Sequence, residues 1–293
     1  MADASNSSNT PYTIVHETRY DYSSPVSLSL QSIRLTPRFR EVQQRIETSP
    51  SGNLRFMRDA YENPTYAFQF IGETSSFSVT NHLEVIKEES NPFNFLLAPH
   101  AIDLPLQYTQ SERAGLLAYF ASGEKNDNVL EKAVRQFAPT ARETVPYLIE
   151  LIQNLHTGIA YEPRDEPGIF TVDEMLRRGK GSCRDYAALL QKILQFEGFA
   201  TRFVSGYLLD TGDMLGAEAM HAWTDVFLPG AGWIGLDPTN GVLTDSSFIP
   251  CAVSTLPDET TPVYGRYYSD SPVESALSMN LQITRGTGSG ERG

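Results

Sequence analysis

The hydrophobic period changes twice along this chain, and that change limits the architectures open to it. From Pro11 to about Ser90, short runs rich in β-branched and aromatic residues alternate apolar and polar positions, as in Tyr12–Tyr22, Val26–Leu35 and Ser76–Ile86. Ser24-Pro25, Thr36-Pro37, Ser49-Pro50-Ser51-Gly52 and Glu62-Asn63-Pro64 punctuate them as turns. The pattern predicts an antiparallel β-sandwich over residues 11–90. Residues 91–108 carry three prolines and no period, which reads as a linker packed across a domain surface. Helical periodicity follows at Ser111–Ala121, Asn128–Phe137 and Glu143–Leu155, and strand-like runs return at Ala200–Leu209, His221–Leu228, Gly232–Asp237 and Leu277–Thr284. The expected fold class is α+β: an N-terminal antiparallel β-sandwich, then an α+β core over 109–285, with a disordered start at 1–10 and a flexible tail at 286–293.

Composition narrows the function classes. A chain of 293 residues, 40% apolar, can bury a real core in two domains. The net charge of −13 and the pI near 4.8 lack the basic footprint of a nucleic-acid binder or a membrane-surface ligand, so neither partner is expected. No run of eighteen apolar residues occurs and Met1–Thr10 is polar, which leads to the expectation of a cytoplasmic protein. Two cysteines, Cys183 and Cys251, give no disulfide framework and direct attention to each thiol singly.

Gly179-Lys180-Gly181 interrupts the helical pattern. Ser182 then stands where an N-cap would, with Asp185 three positions on, and Tyr186, Leu189, Leu190, Ile193 and Leu194 repeat at helical spacing until Gly198. Cys183 therefore opens a helix, where the dipole and exposed N–H groups favour thiolate and can stabilise an oxyanion. A thiol nucleophile needs a base and a group to orient it. His221 lies as far before Pro229 as Asp237 lies after it. In a hairpin centred near Pro229 the two would face each other on one side of adjacent strands, with Cβ atoms about 4.5–5.5 Å apart.

Gly181-Ser182-Cys183-Arg184-Asp185-Tyr186-Ala187, Arg202–Tyr207, His221-Ala222-Trp223 and Asp237-Pro238-Thr239, in that order, resemble the transglutaminase-like superfamily. Within it, the chain is similar to the bacterial proteins that join an N-terminal β domain to a transglutaminase-like core and are often described as candidate cysteine proteases. The resemblance implies a papain-like α+β core with Cys183 as nucleophile, His221 as base and Asp237 as orienting carboxylate. It also implies acyl transfer on a peptide, protein or small amide, by hydrolysis or by amine transfer, with no cofactor and no metal. Two segments depart from the pattern: Asp59–Asn63 has glutamate where glycine is expected before the asparagine, and Gly265–Asp270 has tyrosine where aspartate is expected.

Blander readings stand beside these. Tyr161, Ser182 and Trp223 are candidate substrate or oxyanion residues, although Tyr161 can equally cap the helical layer and Trp223 can equally be core. Cys251 and Trp233 read as structural. Asp185 is explained by the helix N-terminus, and Asp225 competes with Asp237 as orienter. His16, His82, His100 and His156 read as surface or linker residues, and Arg164-Asp165-Glu166 as a solvated loop with candidate subsite residues. Cys183, His221 and Asp237 can also be read as metal ligands lacking a fourth partner, or the scaffold as a non-catalytic binding module. Oligomeric state is not encoded in any of these patterns.

Overall fold

The computed structural model describes residues 10–38, 42–120, 127–164, 166–209, 212, 214–216 and 220–286. Most of the expected N-terminal tail and of the C-terminal tail therefore lies outside the described residues, as does Asp165. Alternation along β1 (Thr10–Leu28) buries Tyr12, Ile14, His16 and Thr18 on one face. β2 (Gln31–Ile33), β3 (Gln43–Ser49), β4 (Asn53–Arg58), β5 (Pro64–Gln69) and β6 (Glu73–Lys87) complete the N-terminal half. Two sheets result, the first running β1-β6-β3 and the second β2-β5-β4, all antiparallel. Ile14, Ile33, Leu35, Phe68, Phe77 and Leu83 fill the space between them, with Phe68 and Phe77 stacked at 5.0 Å.

The second half carries α1 (Gln110–Gly115), α2 (Asn128–Phe137), α3 (Thr144–Gly158), β7 (Ala160–Tyr161), α4 (Val172–Arg178), β8 (Lys180–Gly181) and α5 (Cys183–Phe196). β9 (Thr201–Leu208), β10 (His221–Leu228), β11 (Gly232–Asp237), β12 (Val242–Leu243) and β13 (Phe248–Ser254) follow, in the sheet order β12-β11-β10-β9-β13. α5 buries Leu189, Leu190, Ile193 and Leu194 against Val226, Leu228 and Leu236, each buried side chain contributing about 1.5–3 kcal/mol. Residues 91–108 lie across this core: Ala98 N–H donates to Pro229 O at 2.8 Å, and Thr144 Oγ1 to Ala101 O at 2.7 Å. Among the described residues no helix is long and apolar enough to cross a membrane.

The C-terminal segment returns to the sandwich. β14 (Val263–Tyr264) extends the second sheet beside β2, while β15 (Tyr267–Tyr268) and β16 (Ser275–Arg285) both pair with β1. The strand expected at Leu277–Thr284 thus exists, but its partner is β1 and not a strand of the core over 109–285 to which its place in the chain assigns it. β6 takes one edge of β1, and β16 covers the other from Tyr12 to Tyr22, so the long strand keeps no open edge there.

Asn63 and His16 couple the two halves. The buried Asn63 side chain donates to Val253 O and accepts from Val253 N, both at 2.8 Å. Its turn holds Glu62 at φ 59°, the left-handed conformation that explains the glycine expected there. His16 is not a surface residue: it is 1% exposed, because the alternation of β1 turns it inward, and its Nδ1 meets Tyr207 Oη of β9 at 3.1 Å.

Candidate functional site

Ser182 adopts the extended backbone of an N-cap, and its N–H and Oγ–H both donate to Asp185 Oδ2, at 2.9 and 2.7 Å. Both donors of Ser182 are thereby engaged in capping α5, which gives this residue a local structural role. Gly181 is a close-approach position, since a Cβ there would lie 2.7 Å from Met175 Sδ and 3.0 Å from Asp185 Cβ. Cys183 follows at the first helical position, partly exposed.

Asp185 does more than charge the helix terminus. It is fully buried and accepts from Arg164 Nε and Nη2 at 2.9 and 2.7 Å and from Phe170 N at 2.8 Å, besides Ser182. Burial works against its charge, but the Arg164 guanidinium and the Phe170 and Ser182 donors outweigh burial and hold the carboxyl below its usual range. Arg164 is itself 9% exposed and stacks on Phe170 at 3.9 Å. It is a buried anchor of α5, the helix that Cys183 opens, and not a solvated loop residue. No local sequence signal marks it, because its partner is 21 positions away.

The hairpin pairs Leu228 with Gly232 and Thr224 with Leu236, so it is centred on Gly230 and not on Pro229. This two-residue shift leaves His221 and Asp237 on the same face, because side chains alternate with period two. They are diagonal neighbours, one step apart, and the imidazole spans the gap: His221 Nε2 donates to Asp237 Oδ2 at 2.8 Å, with both side chains wholly buried. Asp237 also accepts from Thr239 N at 2.9 Å and Asn240 Nδ2 at 2.7 Å. Asn240 in turn accepts from Leu215 N at 2.7 Å, tying residues 214–216 to the carboxylate. Sequence reasoning missed Asn240, although a side-chain amide just after an Asp-Pro-Thr turn is a residue type that bonds backbone locally.

His221 Nδ1 is buried with no oxygen or nitrogen partner among the described residues. Burial lowers the ring's basicity, but the charge and hydrogen bond of Asp237, with Cys183 adding to both effects, raise its pKa to about 10. Gly216, at φ 81°, closes over the ring: a Cβ there would stand 2.7 Å from His221 Nδ1 and 3.3 Å from Tyr161 Oη. The parallel pairing of β7 and β8 sets Tyr161 opposite Gly181, two residues before Cys183.

Trp223 is 2% exposed and lies beside the imidazole, ring centroids 6.4 Å apart and planes 28° from parallel. Its Nε1–H donates to Asp225 Oδ1 at 3.1 Å. Asp225 takes Arg202 Nε and Nη2 on its other oxygen, at 2.9 and 2.8 Å, and so does not compete for His221. Trp233 is partly buried, packed on Tyr119 and Phe227, with the Arg202 guanidinium 4.2 Å above its ring. Cys251 is fully buried, its thiol pKa pushed up by burial. His156 Nδ1 meets Thr239 O at 2.6 Å; His82 and His100 are partly exposed beside Glu47 and Glu112. Among the described residues no group of three His, Cys, Asp or Glu side chains is arranged to hold a metal ion.

Two family models match the chain: the transglutaminase-like superfamily over residues 130–238 and the bacterial transglutaminase-like N-terminal region over residues 12–86. An uncharacterised protein of Mycobacterium tuberculosis is 29% identical over 295 residues, covering 93% of this chain and 92% of its own. The human kyphoscoliosis peptidase is 25% identical over 170 residues, covering 56% of this chain and 24% of its own. The crystal structure of a candidate cysteine protease from Cytophaga hutchinsonii superimposes with a TM-score of 0.71 at 13% identity, covering 97% of this chain and 93% of that one.

Proposed function

The chain belongs to the transglutaminase-like superfamily, and on that premise we propose that it is a cysteine-nucleophile hydrolase of an amide, peptide or isopeptide bond. The observation that carries this reading is the buried imidazole of His221, which gives Nε2 to Asp237 and leaves Nδ1 toward the Cys183 side of the site. A ring so held keeps its proton at neutral pH and favours a thiolate–imidazolium pair.

In this mechanism Cys183 Sγ attacks the carbonyl carbon and the carbonyl electron pair moves to oxygen. The oxyanion is met by the N–H of Cys183 at the α5 N-terminus, with Tyr161 Oη as second donor. His221 passes its Nδ1 proton to the nitrogen as the C–N bond breaks, and the amine leaves a thioester behind. The neutral ring then takes a proton from water, the water oxygen attacks the thioester, and the thiolate departs as the acid is released. Asp237 holds the Nε2 proton throughout and balances the imidazolium charge. The human relative is named a peptidase, which favours hydrolysis over amine transfer.

The test is the alkylation rate of Cys183 by iodoacetamide against pH, read by mass spectrometry in wild type and His221→Ala, with buried Cys251 as internal reference. His221-dependent labelling well below the free-thiol pKa of about 8.5 is expected; labelling no faster than Cys251 would overturn the reading. Peptide amides supplied with and without glycine methyl ester then separate the two fates of the acyl group. Free acid as the main product in both is the expected result.

A further inference from the structure

β16 is bonded to β1 in unbroken register along one edge, and among the described residues no strand bonds its other edge. An open edge is a template for a further strand, and proteins guard such edges with charges, prolines, bulges or short strands. The other edges of this molecule are guarded in these ways. β3 carries Arg45 and Glu47, and β4 carries Arg55 and Arg58. β12, β14 and β15 are two residues long, and β13 holds Pro250 with a bulge beside it. β16 has none of these devices: it runs 11 residues with no proline, no bulge and no charge before Arg285. Its inner face is also short of cover. Leu277, Met279, Leu281 and Ile283 alternate with polar residues and stand opposite Tyr20, Thr18, His16 and Ile14 of β1. Leu281 and Ile283 pack on the sandwich core, whereas Leu277 and Met279 stay 46% and 49% exposed.

We propose that a second copy of this chain covers β16, the two β16 strands pairing antiparallel across a twofold axis normal to the sheet. Such an axis keeps both inner faces on one side, and directly opposed residues share a face, so odd positions meet odd positions. The full-length pairing that satisfies this condition is centred on Asn280, the midpoint of the strand, which then faces its own copy. Leu277 opposes Ile283 of the second copy and Met279 opposes Leu281, so the apolar side chains of both strands join in one stripe. Charge selects the same seam. Two copies that each carry −13 repel over most of their surfaces, and least along a strand that is uncharged from Ser275 to Thr284. The one cation, Arg285, arrives next to Glu274, which precedes the strand of the second copy. This pairing does not depend on the chemistry at Cys183.

Sedimentation velocity of the full chain over a wide concentration range is expected to show a dimer. Met279→Lys, checked for folding by circular dichroism, sets a cation in the apolar stripe and is expected to weaken dimerisation about tenfold or more. Asn280→Cys in a Cys183→Ser background locates the axis. Opposed Cα atoms of an antiparallel pair lie about 4.5–5.5 Å apart, within disulfide reach, so oxidised glutathione should link two copies there. Thr284→Cys in the same background lies about 27 Å from its own copy in this register and should not link. A monomer at every concentration overturns the proposal, whether the edge stays bare or another segment of the chain covers it. A dimer that links no better through Asn280→Cys than through Thr284→Cys places the contact elsewhere and overturns it equally. That comparison decides even if Met279→Lys fails to fold.

Discussion

Arg164→Met tests whether α5, the helix that Cys183 opens, is anchored from the preceding loop. The substitution keeps the aliphatic bulk and deletes two charge-assisted hydrogen bonds to Asp185, a carboxylate with no solvent exposure beside a guanidinium only 9% exposed. Breaking a buried pair by removing one partner costs about 3–5 kcal/mol, because the remaining charge is left in a poorly solvating site. Ser182 and Phe170 still donate to Asp185, so the lower end of that range applies. Asp185 has a folded-state pKa below its unfolded one, so its stabilisation is present above the unfolded value of about 3.9 and is lost as pH falls through the folded one. The difference between wild type and variant, measured by urea unfolding, is therefore large at pH 7 and shrinks below about pH 4. Arg164→Met/Asp185→Asn recovers part of the loss, since no buried charge is then unpaired. A loss under about 1 kcal/mol at pH 7, or a double variant as unstable as the sum of the singles, would refute the anchoring argument.

Asp237→Asn removes the charge that keeps the His221 proton on, so the ring pKa followed by NMR should fall well below its value of about 10; a value still near 10 would assign the shift to Cys183 instead. His16 is neutral when folded, its pKa lowered by burial to about 4. The unfolded chain therefore binds the extra proton first, and stability should drop by about 3 kcal/mol between pH 6.5 and 4. His16→Gln should flatten that part of the stability profile. Glu62→Gly relieves a left-handed backbone worth about 1–2 kcal/mol while adding glycine's unfolded-state entropy. Thermal unfolding should show equal or slightly higher stability, and a loss above about 1 kcal/mol would contradict the strain.

Features that depend on near neighbours in the chain were legible in the residues themselves. The capping box of Ser182 and Asp185, the helix it opens and the alternation of β1 are short-range consequences of residue type and period. The shared face of His221 and Asp237 was also legible, because an even shift of register preserves parity, although the turn that centres the pairing was not. What no local pattern could supply is which distant groups meet. The Arg164 clamp on Asp185, the Asn240 bridge from Asp237 to Leu215, the return of β16 to β1 and the meeting of Arg38 with Arg202 each join segments that the chain brings together only on folding. The same holds for His16, whose polar side chain reads as exposed until the strand's inner face and Tyr207 enclose it. Periodicity and caps act over one turn or one strand and so determined the elements and the position of Cys183. Burial and charge pairing act across the whole molecule, and only the tertiary structure decided which carboxylate meets the imidazole and which guanidinium steadies the helix.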